Sequence, residues 1–257
     1  MLIEFYKYQG TGNDFVIIDD RANAFDVDDK GLISVLCERR MGIGADGLIL
    51  LRDHKDLDFE MIYFNSDGNQ SSMCGNGGRC IVAFANLLGI ISSECNFMAI
   101  DGVHEAKINQ DNISLKMKDV SSIDFIANGF VLDTGSPHYV KIVDDLDNIS
   151  VENDGERIRN LPSFKRVGIN VNFVLCSDEL SVRTYERGVE AETLSCGTGV
   201  VATAIAMHNA QYINEESVFV HTKGGVLCVD FKLFKGSYVN VWLSGLADLV
   251  YAGEFEC

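Results

Sequence analysis

Cys74-Gly-Asn-Gly-Gly-Arg79 and Cys196-Gly-Thr-Gly-Val-Val201 are two versions of one short phrase, 122 residues apart. Two more pairs keep the same order and nearly the same spacing. Gly10-Thr-Gly-Asn-Asp-Phe-Val-Ile-Ile-Asp-Asp20 matches Asp133-Thr-Gly-Ser-Pro-His-Tyr-Val-Lys-Ile-Val-Asp-Asp145. Gly42-Ile-Gly-Ala-Asp-Gly-Leu-Ile-Leu50 matches Gly168-Ile-Asn-Val-Asn-Phe-Val-Leu175. One glycine-containing match arises easily by chance. Three in register mark an internal duplication. The chain is therefore predicted to be two homologous halves, 1–117 and 118–246, joined near residues 116–122.

Each half reads alike. Apolar or alternating runs predict strands at Ile3–Tyr8, Phe15–Asp19, Leu48–Leu51, Phe59–Phe64, Val103–Ile108 and Ile113–Met117. In the second half they fall at Phe130–Asp133, Tyr139–Val143, Val171–Leu175, Leu180–Thr184, Ser217–Thr222, Val226–Phe231 and Tyr238–Leu243. The clearest helix of each half follows its cysteine. Gly77–Leu88 stops at Gly89. Gly199–Ala210 is apolar nearly all round, as is its counterpart, so each helix belongs inside its own half. The fold class is α+β.

Composition narrows the function. The 257 residues are 47% hydrophobic and 23% charged, with two prolines, which leaves little room for disorder. The net charge of −17 and the lack of a basic stripe exclude a nucleic-acid partner. The longest apolar stretch, Ile81 to Ile91, is too short to span a bilayer and contains Asn86, so no membrane is expected. The N-terminus lacks the basic start and apolar core of a signal peptide, which points to the cytoplasm.

In that compartment the eight cysteines are expected to be thiols. No pair has a zinc spacing, so no metal is expected. Cys37, Cys95, Cys176 and Cys228 sit among apolar neighbours and read as small buried hydrophobes, and Cys257 is terminal. Cys74 and Cys196 differ, because each stands where a loop meets a buried helix. A helix N-terminus favours a thiolate. The neighbouring amides, near Gly75-Asn76 and Gly197-Thr198, suit a carboxylate. Two such sulfurs facing one α-carbon would invert it, one removing a proton and the other delivering one. No Rossmann, P-loop or pyridoxal-type motif is present, and no cofactor is needed. The bland alternative is a tight helix entry with a buried thiol. A dithiol redox protein and a non-catalytic amino-acid binder are the rivals from other classes.

Seven strings together resemble the diaminopimelate epimerase family. They are Gly10-Thr-Gly-Asn-Asp-Phe15, Gly42-Ile-Gly-Ala-Asp-Gly47, Phe64-Asn-Ser-Asp-Gly68, Met73-Cys-Gly-Asn-Gly-Gly-Arg-Cys80, Gly135-Ser-Pro-His138, Tyr185-Glu-Arg-Gly188 and Ser195-Cys-Gly-Thr-Gly199. The resemblance runs from residue 3 to about 246. It implies two pseudo-symmetric halves, each a mostly antiparallel, barrel-like sheet wrapped around a central helix, with the active site in the cleft between them. The segment 247–257 then returns to the first half. The implied reaction converts LL-2,6-diaminopimelate to the meso form, without a cofactor, for lysine and peptidoglycan synthesis. Closure of the two domains over a small amino-acid substrate is implied as well, and so is a homodimer.

Roles carry over where the motifs match. Cys74 and Cys196 are the acid and base, with His138 and Glu186 beside them. Asn13, Asn65, Asn76, Ser136, Asn170, Glu186 and Arg187 bind substrate, together with the amides of Gly75, Gly197 and Thr198. Taken alone, each Asn could be a turn former, His138 could sit at a turn, and Glu186-Arg187 could be a surface ion pair. Three departures stand out: Ser136 replaces a common Asn, Gly47 stands where some members carry Gln, and the Glu186–Cys196 stretch is one residue longer. A proline racemase or hydroxyproline epimerase is the nearest rival. His54, His104, His208 and His221 carry no motif and read as structural.

Overall fold

A computed structural model describes residues 2–71 and 73–256; Met1, Ser72 and Cys257 lie outside it. The expectation for Cys257 therefore falls outside the described residues. The chain forms two compact units, residues 1–115 with 245–257, and residues 116–244.

In the first unit the chain runs β1 (Leu2–Gly10), β2 (Asn13–Asp19), α1 (Lys30–Cys37), β3 (Gly47–Arg52), β4 (Phe59–Asn65), α2 (Gly75–Leu87), β5 (Glu94–Ala99), β6 (Gly102–Asn109) and β7 (Asn112–Lys116). The second unit contains β8 (Asp124–Ile126), β9 (Gly129–Asp133), β10 (Pro137–Ile142), α3 (Val151–Arg159), β11 (Asn170–Cys176), β12 (Leu180–Glu186), β13 (Ala191–Thr193), α4 (Gly197–Asn209), β14 (Ser217–Thr222), β15 (Gly225–Phe234) and β16 (Ser237–Leu246). The last strand, β17 (Asp248–Glu256), belongs to the first unit.

The pairings expose the duplication. In unit one, β17, β1 and β2 are successively antiparallel, β2 and β3 parallel, β3 and β4 antiparallel, β4 and β5 parallel, and β5, β6 and β7 antiparallel. In unit two, β8, β9, β10, β11, β12, β14, β15 and β16 repeat that series of senses without exception. The fold is α+β, and antiparallel pairs dominate.

Burial explains the sequence pattern. Phe15, Val16, Ile17 and Ile18 of β2 are all buried. A strand covered on both faces loses its alternation and reads as a continuous apolar run. One face packs on α1, where Ile33, Leu36 and Cys37 meet Val16, Ile18, Leu48 and Leu50. The other face lies against α2, whose Gly77 abuts Phe15, Ile49 and Met61. In unit two, α3 sets Val151 and Ile158 against Tyr139, Val171 and Phe173, and α4 packs on β9, β10, β11 and β12. Both α2 and α4 have 13 residues, and all but three in each are buried. No helix among the described residues is long and apolar enough to cross a membrane.

The two central helices start two residues earlier than predicted, so each cysteine is itself the N-cap. Glycine is a poor helix former, which delays a start read from propensity. The first turn, however, needs no intrahelical N–H bonds, and close packing there favours residues without side chains. Strands β5, β8, β13 and β17 and helices α1 and α3 were not predicted. Helix α3, Val-Glu-Asn-Asp-Gly-Glu-Arg-Ile-Arg, buries only Val151, Gly155 and Ile158 and has too few apolar residues to show a period.

Candidate active site

In unit one the Cys74 cluster is built by three elements. Cys74 caps α2 in an extended conformation. The β1–β2 hairpin turns through Thr11 and Gly12, both at positive φ (49° and 83°), and delivers Asn13. Cys74 Sγ donates to Asn13 Oδ1 at 3.5 Å, and Asn76 Nδ2 donates to the same oxygen at 3.4 Å. Asn13 Nδ2 donates to Asp46 Oδ2 at 2.6 Å. A carboxylate can only accept, so Asp46 fixes which end of the Asn13 amide faces the sulfur. Asp46 is held by Arg39, which also pairs with Asp14, and Lys7 pairs with Asp14 from the other side. Burial pushes the Asp14 carboxyl up, but the hydrogen bonds and charges of Arg39 and Lys7 outweigh it and hold it at about 2.

Arg79 completes this cluster and was missed as a site residue. It is 0% exposed. Its Nη2 donates to Asn76 Oδ1 at 2.9 Å and to Thr11 Oγ1 at 3.2 Å, and its Nη1 donates to Gly75 O at 3.3 Å. Among the described residues no carboxylate pairs with it. Burial pushes its pKa down. The available signal was a lone charge in an otherwise apolar helix.

Asn65 ends β4 exposed, paired with Gly47, and is not part of the hydrogen-bonded Cys74 cluster. At Gly47 a Cβ would lie 2.5 Å from both Phe64 O and the Tyr63 ring. No side chain fits there, which accounts for the glycine at this departure.

In unit two, Cys196 caps α4 and is 7% exposed. Its Sγ lies 3.6 Å from Thr198 Oγ1, which lies 2.9 Å from His138 Nε2. Thr134 Oγ1 donates to Thr198 O at 2.8 Å, tying the β9–β10 turn to the helix start. Burial holds the His138 imidazole down at about 3, so it is neutral near pH 7. Its contact with sulfur runs through the Thr198 hydroxyl.

Ser136, Asn170 and Arg187 come together beside it. Asn170 Nδ2 donates to Ser136 Oγ at 2.8 Å and to Pro137 O at 3.0 Å. Asn170 Oδ1 accepts from the Arg187 amide at 2.8 Å, and Arg187 Nη2 donates to Ser136 Oγ at 3.4 Å. Glu186 Oε2 accepts from Thr193 Oγ1 at 3.0 Å. The other histidines have local partners: His208 on Tyr238, His221 on Glu179, His104 on Asp101, and His54 accepting from the Leu57 amide. Among the described residues no group of three His, Cys, Asp or Glu could hold a metal ion.

The fold is shared with solved structures of low sequence similarity. A Bacillus anthracis phenazine biosynthesis protein of the PhzF family superposes with a TM-score of 0.80 at 13% identity, covering 100% of both chains. A hydroxyproline epimerase from Agrobacterium vitis gives 0.68 at 14% identity, over 98% of this chain and 92% of that one. Sequence comparison is more specific. The sequence model of the family Diaminopimelate epimerase matches residues 5–123 and 130–240. The diaminopimelate epimerase of Flavobacterium psychrophilum is 50% identical over 97% of this chain and 98% of its own. That of Aquifex aeolicus is 38% identical over 99% and 98%. The chain is thus an isomerase by kinship, and it belongs to the diaminopimelate epimerase family.

Proposed function

We propose that this chain epimerises LL-2,6-diaminopimelate to the meso form by a cofactor-independent, two-thiol mechanism in the cytoplasm, supplying lysine and peptidoglycan synthesis. The observation that carries the reading is that Cys74 and Cys196 cap equivalent buried helices in two units whose eight main strands pair in the same series of senses. Each sulfur sits at the positive end of a helix dipole, beside amides suited to a carboxylate.

The mechanism requires the two sulfurs to reach opposite faces of one α-carbon. One thiolate takes the α-proton and becomes a thiol. The electron pair left on carbon is stabilised by donors around the adjacent carboxylate. The opposite thiol protonates the other face and becomes a thiolate. Atoms balance, and the two cysteines exchange protonation states. Asn13, Asn65, Asn76, Ser136, Asn170, Glu186 and Arg187 are read as the grip on the amino-acid ends, with Arg187 suited to a carboxylate by its fork. We read the working unit as a homodimer.

The test is LL-diaminopimelate in deuterated water. One deuterium at the α-carbon of the meso product is expected. No exchange there, with exchange into hydroxyproline instead, would move the chain to the rival substrate. Cys74→Ser and Cys196→Ser are each expected to lower turnover by at least about 100-fold, since general acid–base steps contribute that much. A single mutant of full activity overturns the two-base reading. The redox rival requires activity that cycles through a disulfide, whereas here a reductant maintains turnover.

A further inference from the structure

The two units differ in side chains at places that their topology makes equivalent. With Phe15 matched to His138, the pairing registers place Asn172 and Thr184 of unit two where unit one has Ile49 and Tyr63, which shifts the Gly42–Gly168 sequence match from an offset of 126 to 123. His138 and Asn172 are 0% exposed and Thr184 is 3% exposed. A buried polar trio in place of apolar side chains costs free energy unless every group is satisfied. Here the hydrogen bonds form a chain whose direction is fixed as far as Thr198.

Asn172 sets that direction. Its Nδ2 lies 3.1 Å from Tyr139 O, a backbone carbonyl that can only accept, so the NH₂ end must point there. The same nitrogen lies 3.0 Å from His138 Nδ1. Its second hydrogen goes to that ring nitrogen, which must accept, so the imidazole proton is on Nε2. Asn172 Oδ1 accepts from Thr184 Oγ1 at 2.9 Å, which locks the amide from the other end. His138 Nε2 then donates to Thr198 Oγ1. The threonine keeps its own hydrogen, and Cys196 Sγ is 3.6 Å away. The corresponding contact at Cys74 has the opposite sense: there the sulfur meets a carbonyl oxygen, Asn13 Oδ1.

We propose that Asn172 is a positioning residue which, by fixing the His138 tautomer, makes the Thr198 hydroxyl a donor to Cys196 Sγ and stabilises the Cys196 thiolate. A hydrogen bond to the charged form of a group favours that form. The assignment rests on the epimerase reading only for the use to which the thiolate is put. Asp133 and Arg187 are the charged side chains whose fields reach His138, one of each sign.

Two measurements on the substrate-free protein test the proposal. With ¹⁵N-labelled histidine, long-range ¹H–¹⁵N spectra read the His138 tautomer, assigned through His138→Gln. The expected proton is on Nε2, with the signature averaging toward a mixture in Asn172→Leu. A proton on Nδ1 overturns the proposal. Next, iodoacetamide labelling of Cys196 is followed by peptide mass across pH, with Cys74 as reference in the same tube. Thr198→Val is expected to raise the Cys196 inflection by about one pH unit and leave that of Cys74 in place. Thr198→Ser, which keeps the hydroxyl, is expected to restore it. An unmoved Cys196 inflection in Thr198→Val, or equal movement of both cysteines, overturns the proposal. Neither measurement uses substrate. A protein that passes both yet exchanges no deuterium into diaminopimelate refutes the epimerase reading alone.

Discussion

Arg79 meets only neutral oxygens in a fully buried place, which makes it an expensive residue to keep for packing alone. Its fork turns the Asn76 amide so that Nδ2 faces Asn13, and Asn13 in turn faces Cys74. Arg79→Met relieves the cost of burying a charge but frees that amide. We expect turnover to fall more than about tenfold while thermal stability changes by only a few degrees, and Arg79→Lys not to restore turnover, because a point charge lacks the fork. Calorimetry beside a turnover assay checks this. His138 carries a different signature. Its proton binds with a pKa of 6.5 ordinarily and about 3 in the fold. Protonation therefore favours the unfolded chain. The stabilising contribution is complete above pH 6.5 and is lost as pH falls toward 3. At roughly 1.4 kcal/mol per pH unit, urea unfolding at pH 5 is expected to show a free energy about 2 kcal/mol below that at pH 7. His138→Phe, the residue at the matching place in unit one, should flatten that slope. Asp14, held near 2, titrates at lower pH and does not share this window.

At the scale of elements, α2 and α4 are equivalent helices with different neighbours. A Cβ on Gly77 would press most closely on a flexible end, Ile49 Cδ1 at 3.1 Å, with Met61 Cε and Phe15 Cε1 at ordinary contact, 3.4 Å. A Cβ on Gly199 would sit 2.4 Å from Asn172 Oδ1, which Thr184 and Tyr139 hold in place. Gly77→Ala is therefore expected to change stability by less than about 1 kcal/mol, because better helix propensity offsets slight crowding. Gly199→Ala is expected to lose about 1–3 kcal/mol, as overpacking does in a core that cannot give. Parallel urea titrations distinguish the two. Equal effects would mean that the Asn172 amide is not rigid.

At the largest scale, the chain closes each unit differently. In unit two the strand outside β9 is β8, joined to it by a two-residue turn, Ala127-Asn128, with φ of 52° and 62°. In unit one the matching place beside β1 is filled by β17 from the far end of the chain. Glu256 pairs with Leu2, so a two-residue Asn-Gly turn could join them as Ala127-Asn128 joins β8 to β9. A permutant that begins at residue 247, passes through such a turn to Leu2 and ends at 246 is expected to fold, with a melting temperature within about 5 °C of the parent. Deleting 247–256 instead leaves β1 as an open edge, and aggregation is expected. Circular dichroism and light scattering read both outcomes. A stable, monodisperse truncation would show that β17 is dispensable.

The sequence by itself determined the duplication, the two cysteine-led helices and the reaction class, because these depend on local spacing and on motifs that repeat in register. Most strand positions were legible from short β-branched and aromatic runs bounded by polar residues, as at Phe15–Ile18 and, around Asn172, at Val171–Leu175. What escaped was nonlocal. The resemblance implied that 247–257 returns to the first half but not that it is a strand: β17 has only part-buried or exposed residues and gains its identity from β1, some 240 positions away in the chain. Arg79 stands in a helix read as buried, but its partners Thr11 and Asn76 are set only by packing. Asn172 stands in a string of apolar residues with nothing to mark it. Only the tertiary structure, by setting register across β10, β11 and β12, placed its amide between a carbonyl that must accept and a histidine that must follow. The two cysteines are alike in sequence because they descend from one phrase, and unlike in surroundings because the strands packed on each helix present different side chains.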